Sequence, residues 1–207
     1  MAGKVLVISC GPGGQYFITL EALKKIETCQ ILIGSERLLS TFAPSGKKQI
    51  VLTGTMENLE LTLKEHETKT VGILVTGDAG LYSLAKKVLT LCECVEIVPG
   101  VSSLQVAFAR LGQSWDNVET FSFHGRPFDC LDCLCHAQKA AVFCDRVNSA
   151  KAILKKLIPL GLNQRYFICQ NLTLDNEKVI DVKSYEELQN VDEVSTELLV
   201  ILTKENE

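Results

Sequence analysis

The sequence predicts an α/β protein built on largely parallel sheet and divided into two α/β units. Three observations carry this. Short apolar runs such as Val5–Ile8, Ile31–Ile33 and Val71–Val75 are continuous instead of alternating, the mark of strands buried on both faces. Segments of helical period separate them. Glycine-bearing turns follow the runs, at Gly11-Pro12-Gly13-Gly14, Gly77-Asp78-Ala79-Gly80 and Pro99-Gly100, which is where open α/β sheets present loops to ligands.

In order, Val5–Ile8 is the first strand. A helix is expected from about Leu20 to Cys29, with Thr19 as N-cap and Leu20, Leu23 and Ile26 on one stripe. Ile31–Ile33 ends at Gly34. Met56, Leu59, Leu63 and His66 mark one helix face, and Val71–Val75 is a third strand. A helix carrying Leu81, Leu84, Ala85 and Val88 follows Gly80, then a strand at Val95–Val98. Leu104, Ala107, Phe108 and Leu111 line a further helix stopped by Gly112. A change of texture at Gly112–Asn117 divides the chain into residues 1–114 and 115–207. The second part reads as strands at Thr120–Phe123, Ala140–Cys144, Arg165–Gln170 and Leu198–Thr203, a helix from Asn148 to Ile158, and a hairpin turning at Asp175-Asn176.

The 207 residues are 46% apolar and 22% charged, with a formal charge of -4, and Lys and Arg occur in no run beyond pairs. That balance disfavours a nucleic-acid surface and favours small-molecule chemistry. Met1-Ala2-Gly3-Lys4 before a four-residue apolar run does not form a signal segment, and no apolar run reaches a membrane span, so a cytoplasmic protein is expected. Nine cysteines, an odd number, are expected as reduced thiols, several of them packed as small hydrophobes.

The chemistry-bearing segments each admit a plain structural reading. Gly11-Pro12-Gly13-Gly14 lacks the lysine of a phosphate loop and the spacing of a dinucleotide fingerprint, and Pro12 removes an amide donor. It is a tight turn or a ligand loop, with a nicotinamide oxidoreductase as the weaker alternative. Asp78 either caps the next helix or accepts hydrogen bonds from a ligand. Ser102 and Ser103 start a helix and offer hydroxyls and amides at a strand end. Arg37 and Arg126 suit carboxylates, and His124 stands beside Arg126. Cys130, Cys133, Cys135 and His136 have zinc-like spacing, but all four crowd one short stretch, so no metal site is expected; a non-catalytic metal-binding module is the rival reading.

Taken in order, these motifs resemble the tetrapyrrole (corrin/porphyrin) methyltransferase family. The resemblance rests on Gly11-Pro12-Gly13 with Thr19 and Ala22, on Gly77-Asp78-Ala79-Gly80 with Tyr82-Ser83, and on Pro99–Ser103. Ile33–Leu39, Ser102–Gly112 with Trp115-Asp116, and Ser122–Arg126 are similar to the cobalt-precorrin-7 (carbon-5) branch. Two positions depart from the pattern. Ser9 replaces the first glycine of G-x-G-P-G, and Ala79 replaces the proline of Gly-Asp-Pro-Gly, which is expected to loosen that loop and weaken cofactor affinity.

The resemblance implies two α/β domains with S-adenosylmethionine in the interdomain cleft, usually in a homodimer. It implies cofactor contacts at Pro12, Thr76, Gly77, Asp78, Leu81, Ser102, Ser103, Cys144 and Asn171. It also implies methylation of carbon 5 of cobalt-precorrin-7 in cobalamin synthesis, or of another corrin position, and a separate decarboxylating carbon-15 methyltransferase as partner. Arg37 and Arg126 are expected on the corrinoid's carboxylates, and His124 near its reacting edge as the candidate catalytic residue.

Overall fold

The structure is a computed structural model describing residues 3–52, 56–123, 131–194 and 197–204. It divides into two compact units, Met1–Ser103 and Leu104–Glu207. The sequence places the break near residue 115. In the structure, residues just before that point belong with the second unit: Arg110 pairs with Glu177, and the Lys139 ammonium donates to the Ser114 carbonyl.

The first unit holds a five-stranded sheet of β1 (Val5–Ser9), β2 (Ile31–Gly34), β3 (Lys48–Val51), β4 (Val71–Val75) and β5 (Val95–Val98). The spatial order is β3-β2-β4-β1-β5, and every pairing is parallel. β1, β2 and β4 are apolar because both faces are covered. On one face Leu6, Ile8, Leu32 and Leu74 pack with Ala22, Ile26, Leu38 and Leu39. On the other, Val7, Ile31, Ile33 and Ile73 pack with Leu59, Leu63, Ala85 and Val88. β3 is an exposed edge strand, which is why its sequence carries no strong apolar signal.

Helices α1 (Leu20–Thr28), α2 (Glu36–Phe42), α3 (Met56–Glu65) and α4 (Ala85–Leu91) connect these strands. Thr19 caps α1 by accepting the Ala22 amide at 3.1 Å. The buried stripe of α1 is Ala22 and Ile26, continued by Cys29, whereas Leu20 is 77% exposed and Leu23 37%. The buried stripe is rotated from the expected one because alanine and cysteine are small enough to let the helix approach the sheet. α4 begins only at Ala85, so Gly80 does not open a helix and Leu81 lies in a loop.

The second unit opens with α5 (Ser103–Arg110), ended by Gly112 at φ +63°. Its sheet is mixed: β6 (Glu119–Ser122), β7 (Lys139–Phe143), β8 (Gln164–Gln170), β9 (Lys178–Val182) and β10 (Glu197–Thr203), in order β6-β7-β10-β8-β9. Only β6 and β7 are parallel; β7–β10, β10–β8 and β8–β9 are antiparallel. The expected hairpin is β8–β9. Helices α6 (Leu131–His136), α7 (Ala150–Leu157) and α8 (Tyr185–Gln189) complete the unit. Leu134, Ile153, Leu154, Leu157 and Leu188 fill its core against Val142, Ile168, Leu199 and Ile201.

Candidate cofactor-binding site

Because all strands of the first sheet run parallel, their carboxyl ends and following loops lie along one edge. Ser9 ends β1, Thr76 follows β4 and Pro99 follows β5. The loops are tied to one another through the main chain. The Cys10 amide donates to the Val75 carbonyl at 2.9 Å, and the Gly77 amide to the Gly11 carbonyl at 2.7 Å. Pro12 is buried between two glycines, Gly11 at φ +72° and Gly13.

Gly77 has φ +75°, and a Cβ built there would meet nothing within 4 Å. Its backbone therefore demands glycine while the space beside it stays open, so a ligand can approach the peptide closely. The Asp78 carboxylate does not cap a helix. One oxygen accepts the Gly80 amide at 2.7 Å and the other the Gly100 amide at 2.8 Å, joining the β4 and β5 loops. Each oxygen keeps lone-pair capacity for a further donor. Tyr82, next to Leu81, holds a left-handed backbone at φ +49°, a conformation bulky residues rarely adopt. Ser102 is buried directly before α5, and Ser103 is the first residue of that helix.

Ser9, which stands where the family pattern has glycine, is bonded on two sides. Its buried hydroxyl donates to the Val98 carbonyl at 2.6 Å and accepts the Ala79 amide at 2.8 Å. Ala79 is 2% exposed, and its carbonyl accepts from the Ser83 hydroxyl. Both the amide and the carbonyl of Ala79 are therefore held, which opposes the loosening expected from the lack of a proline ring.

Arg37, on the exposed side of α2, donates to the Thr76 hydroxyl at 3.0 Å and reaches the Gly13 carbonyl at 3.5 Å. This places a cation against the same loops with most of its five donors still available. It also opposes the burial that pushes the neighbouring Cys10 thiol up to about 12. The first unit thus gathers Pro12, Arg37, Thr76, Gly77, Asp78, Leu81, Ser102 and Ser103 onto its loop edge or the segments leaving it. A surface hollow lined by Ile31, Lys48, His66 and Lys69 belongs to the opposite edge, where β2 and β3 begin.

In the second unit Cys144 follows β7 and Asn171 follows β8. The Cys144 side chain is core, its thiol donating to the Val142 carbonyl, and burial drives its ionisation far up. Only its main chain is left to meet a ligand. Asn171 and Thr173 hold left-handed backbones at φ +50° and +71°. Glu177 supports that loop by accepting the Thr173 amide at 2.6 Å, and Arg110 donates to Glu177 at 2.6 Å. The Arg110 bond is the foremost cause holding the Glu177 carboxyl below its usual range. This clamp is not legible in the sequence, since a Glu and an Arg 67 positions apart carry no spacing signal.

His124, Arg126 and Cys130 lie outside the described residues. Cys133 is disulfide-bonded, which corrects the expectation of reduced thiols at that position. Cys10, Cys29, Cys92, Cys94, Cys135, Cys144 and Cys169 are free. His136 and Asp132 pair at 3.4 Å on the exposed face of α6, and no three metal-ligating side chains come together among the described residues.

A parallel sheet with one edge of interlocked glycine loops, open at Gly77 and flanked by an arginine, defines an α/β protein whose loop edge leaves main chain accessible to a small ligand. The chain belongs to the Tetrapyrrole (Corrin/Porphyrin) Methylases, whose pattern it matches over residues 4–188; it is a methyltransferase. It is 32% identical over 199 residues to the probable cobalt-precorrin-7 C(5)-methyltransferase of Methanocaldococcus jannaschii, covering 91% of this chain and 92% of that one. It is 26% identical over 176 residues to the cobalt-precorrin-7 C(5)-methyltransferase of Salmonella typhimurium, covering 84% and 87%. The fold matches the crystal structure of uroporphyrin-III C-methyltransferase from Thermus thermophilus complexed with S-adenosylhomocysteine. There the TM-score is 0.78 at 20% identity, covering 97% of each chain.

Proposed function

We propose that this chain transfers a methyl group from S-adenosylmethionine to carbon 5 of cobalt-precorrin-7 in cobalamin biosynthesis. The observation that carries the reading is the pair of relatives named for that carbon and that corrinoid, each covered over more than four-fifths of its length. The loop edge of the first sheet fits the donor: Gly77 leaves room for close approach, and Asp78 keeps acceptor capacity beside it.

S-adenosylmethionine supplies an electrophilic methyl on a sulfonium, and the macrocycle's own conjugated carbon supplies the electron pair. The protein's share is therefore positioning and electrostatics. Pro12, Thr76, Gly77, Asp78, Leu81, Ser102 and Ser103 are the proposed donor contacts in the first unit, with Asp78 accepting from a hydroxyl or ammonium group. In the second unit the Cys144 main chain and Asn171 are the proposed contacts. Met1–Ser103 would thus supply most of the cofactor contacts and Leu104–Glu207 the remainder. Arg37 and Arg126 take peripheral carboxylates of the corrinoid, and His124 stands at the reacting edge.

Relatives of this length are named for carbon 5 alone, which supports a separate decarboxylating methyltransferase for carbon 15. A homodimer in the cytoplasm completes the proposal. No helix among the described residues is long and apolar enough to cross a membrane.

The test is incubation of the purified protein with cobalt-precorrin-7 and isotope-labelled S-adenosylmethionine, read by mass spectrometry. A gain of one labelled methyl is expected, and no gain sinks the reading. Arg126→Ala should raise KM for the corrinoid about tenfold or more, the loss of one charge-assisted contact; unchanged turnover and affinity would remove Arg126 from the site.

A further inference from the structure

Ser9 closes β1 at the point where its backbone ladders stop. The last register partners are Ser9 with Val75 on one side and Ile8 with Val98 on the other. β1 lies between β4 and β5, and beyond the ladders the Ser9 side chain continues the stitching on both sides. Its proton goes to the Val98 carbonyl of β5, which turns an oxygen lone pair toward the Ala79 amide in the loop after β4. The side chain is fully buried, so neither partner can turn to water. Its Cβ also packs on Gly100: a Cβ added at Gly100 would stand 2.4 Å from it. Gly100 in turn donates to Asp78, one residue before Ala79. One hydroxyl thus ties the loop that carries Gly77 and Asp78, at Ala79, to the end of β5.

The 2.8 Å separation between the Ala79 nitrogen and the Ser9 oxygen also limits what can occupy position 79. In proline the amide hydrogen is replaced by a ring carbon about 1.5 Å from nitrogen in much the same direction. That carbon would lie within about 2 Å of the Ser9 oxygen, far inside van der Waals contact. Proline at 79 therefore requires the hydroxyl at 9 to be gone. Conversely, removing the hydroxyl while keeping alanine strips the buried Ala79 amide of its acceptor.

We infer that positions 9 and 79 act as one unit, in which the Ser9 hydroxyl is the positioning residue for the Gly77–Gly80 loop. Two kinds of combination are self-consistent: serine with a residue bearing an amide hydrogen, or a residue without a hydroxyl, such as glycine, with proline. The two departures from the family pattern noted in the sequence are then one compensated change. The ligand-binding part of the test rests on the proposed function; the pairing itself does not.

The experiment is a two-by-two set in the full chain: wild type, Ser9→Gly, Ala79→Pro, and the double variant. Each is measured for unfolding in denaturant and, by calorimetry well below the melting range, for the Kd of S-adenosylhomocysteine. Ser9→Gly should weaken binding roughly tenfold, consistent with losing a buried hydrogen bond. Ala79→Pro should weaken it more or yield no folded protein, and the double variant should return to within about threefold of wild type. A purely packing role for Ser9 would shift unfolding and leave the Kd of the folded variants unchanged, which overturns the positioning assignment. Single-variant losses that simply multiply in the double variant, or a double variant that does not fold, overturn the pairing. If wild type does not bind S-adenosylhomocysteine, the proposed function falls, and the unfolding cycle still decides the pairing.

Discussion

The two sheets use their buried polar side chains differently. In the all-parallel sheet, the Ser9 hydroxyl joins loops to one another at the strands' carboxyl edge, and the part-buried Asp78 carboxylate does the same. In the mixed sheet, buried polar groups join helix termini to strands. Glu197 accepts the Ala150 amide at the start of α7, the Gln170 side chain and the Val194 amide. Gln164 donates to the carbonyls of Leu134, Cys135 and Ala137 at the end of α6. Topology explains the contrast. A parallel sheet brings every loop after a strand to one edge, where polar groups can converge on a ligand. Antiparallel neighbours send successive loops to opposite ends, so the same groups satisfy isolated helix ends instead.

Substitutions in the two networks should therefore separate stability from binding. Glu197→Ala is expected to have the largest effect, lowering unfolding stability by about 3 kcal/mol because two buried donors and the part-buried Val194 amide lose their acceptor. Calorimetry of S-adenosylhomocysteine below the melting range should show its affinity nearly unchanged; a large affinity loss would break the contrast. Gly100→Ala comes next. Its Cβ would meet the Ser9 Cβ at 2.4 Å, and overpacking of this kind costs about 1–3 kcal/mol, with affinity expected to fall alongside. Adding Ser9→Gly should relieve the overlap, since the remaining neighbours stand at 3.4 Å, but losing the two hydrogen bonds of the Ser9 hydroxyl should keep the pair below wild type.

A smaller effect is expected at Glu177, whose carboxyl is held low by Arg110. A depressed carboxylate contributes stability above the ordinary carboxylate range and loses it as pH falls through its folded value. Because Arg110 is 43% exposed, Glu177→Gln should cost under about 1 kcal/mol at neutral pH. The wild-type advantage should vanish in acid-unfolding curves as pH drops. The mildest test is chemical. Burial pushes the Cys10 and Cys169 thiols up to about 12 and Cys29 up to about 11, so alkylation of native protein near pH 8 should label exposed Cys94 and spare these three, as peptide mapping would show.

Much of the parallel sheet was legible in the sequence, because strands buried on both faces are written as unbroken apolar runs such as Val71–Val75. β3 was not, since an exposed edge strand reading Lys48-Gln49-Ile50-Val51 carries little apolar signal. The antiparallel character of the second sheet was visible only at the β8–β9 hairpin; the pairing of β10 between β7 and β8 is set by contacts distant in sequence. At the site, the glycine turns gave the positions of the loops but not their wiring. In the sequence Asp78 reads as a helix cap or a ligand acceptor, and its bond to Gly100 across 22 positions belongs to neither. Ser9 and Ala79 read as separate departures in the sequence because the bond between them spans 70 positions.

The central claim is tested most directly by placing the transferred methyl group. Cobalt-precorrin-7 incubated with the protein and S-adenosylmethionine carrying a carbon-13 methyl should give one product, its labelled methyl correlated to carbon 5 of the macrocycle by NMR. No incorporation would contradict methyl transfer to this corrinoid, and a label on any other carbon would contradict the assignment of position.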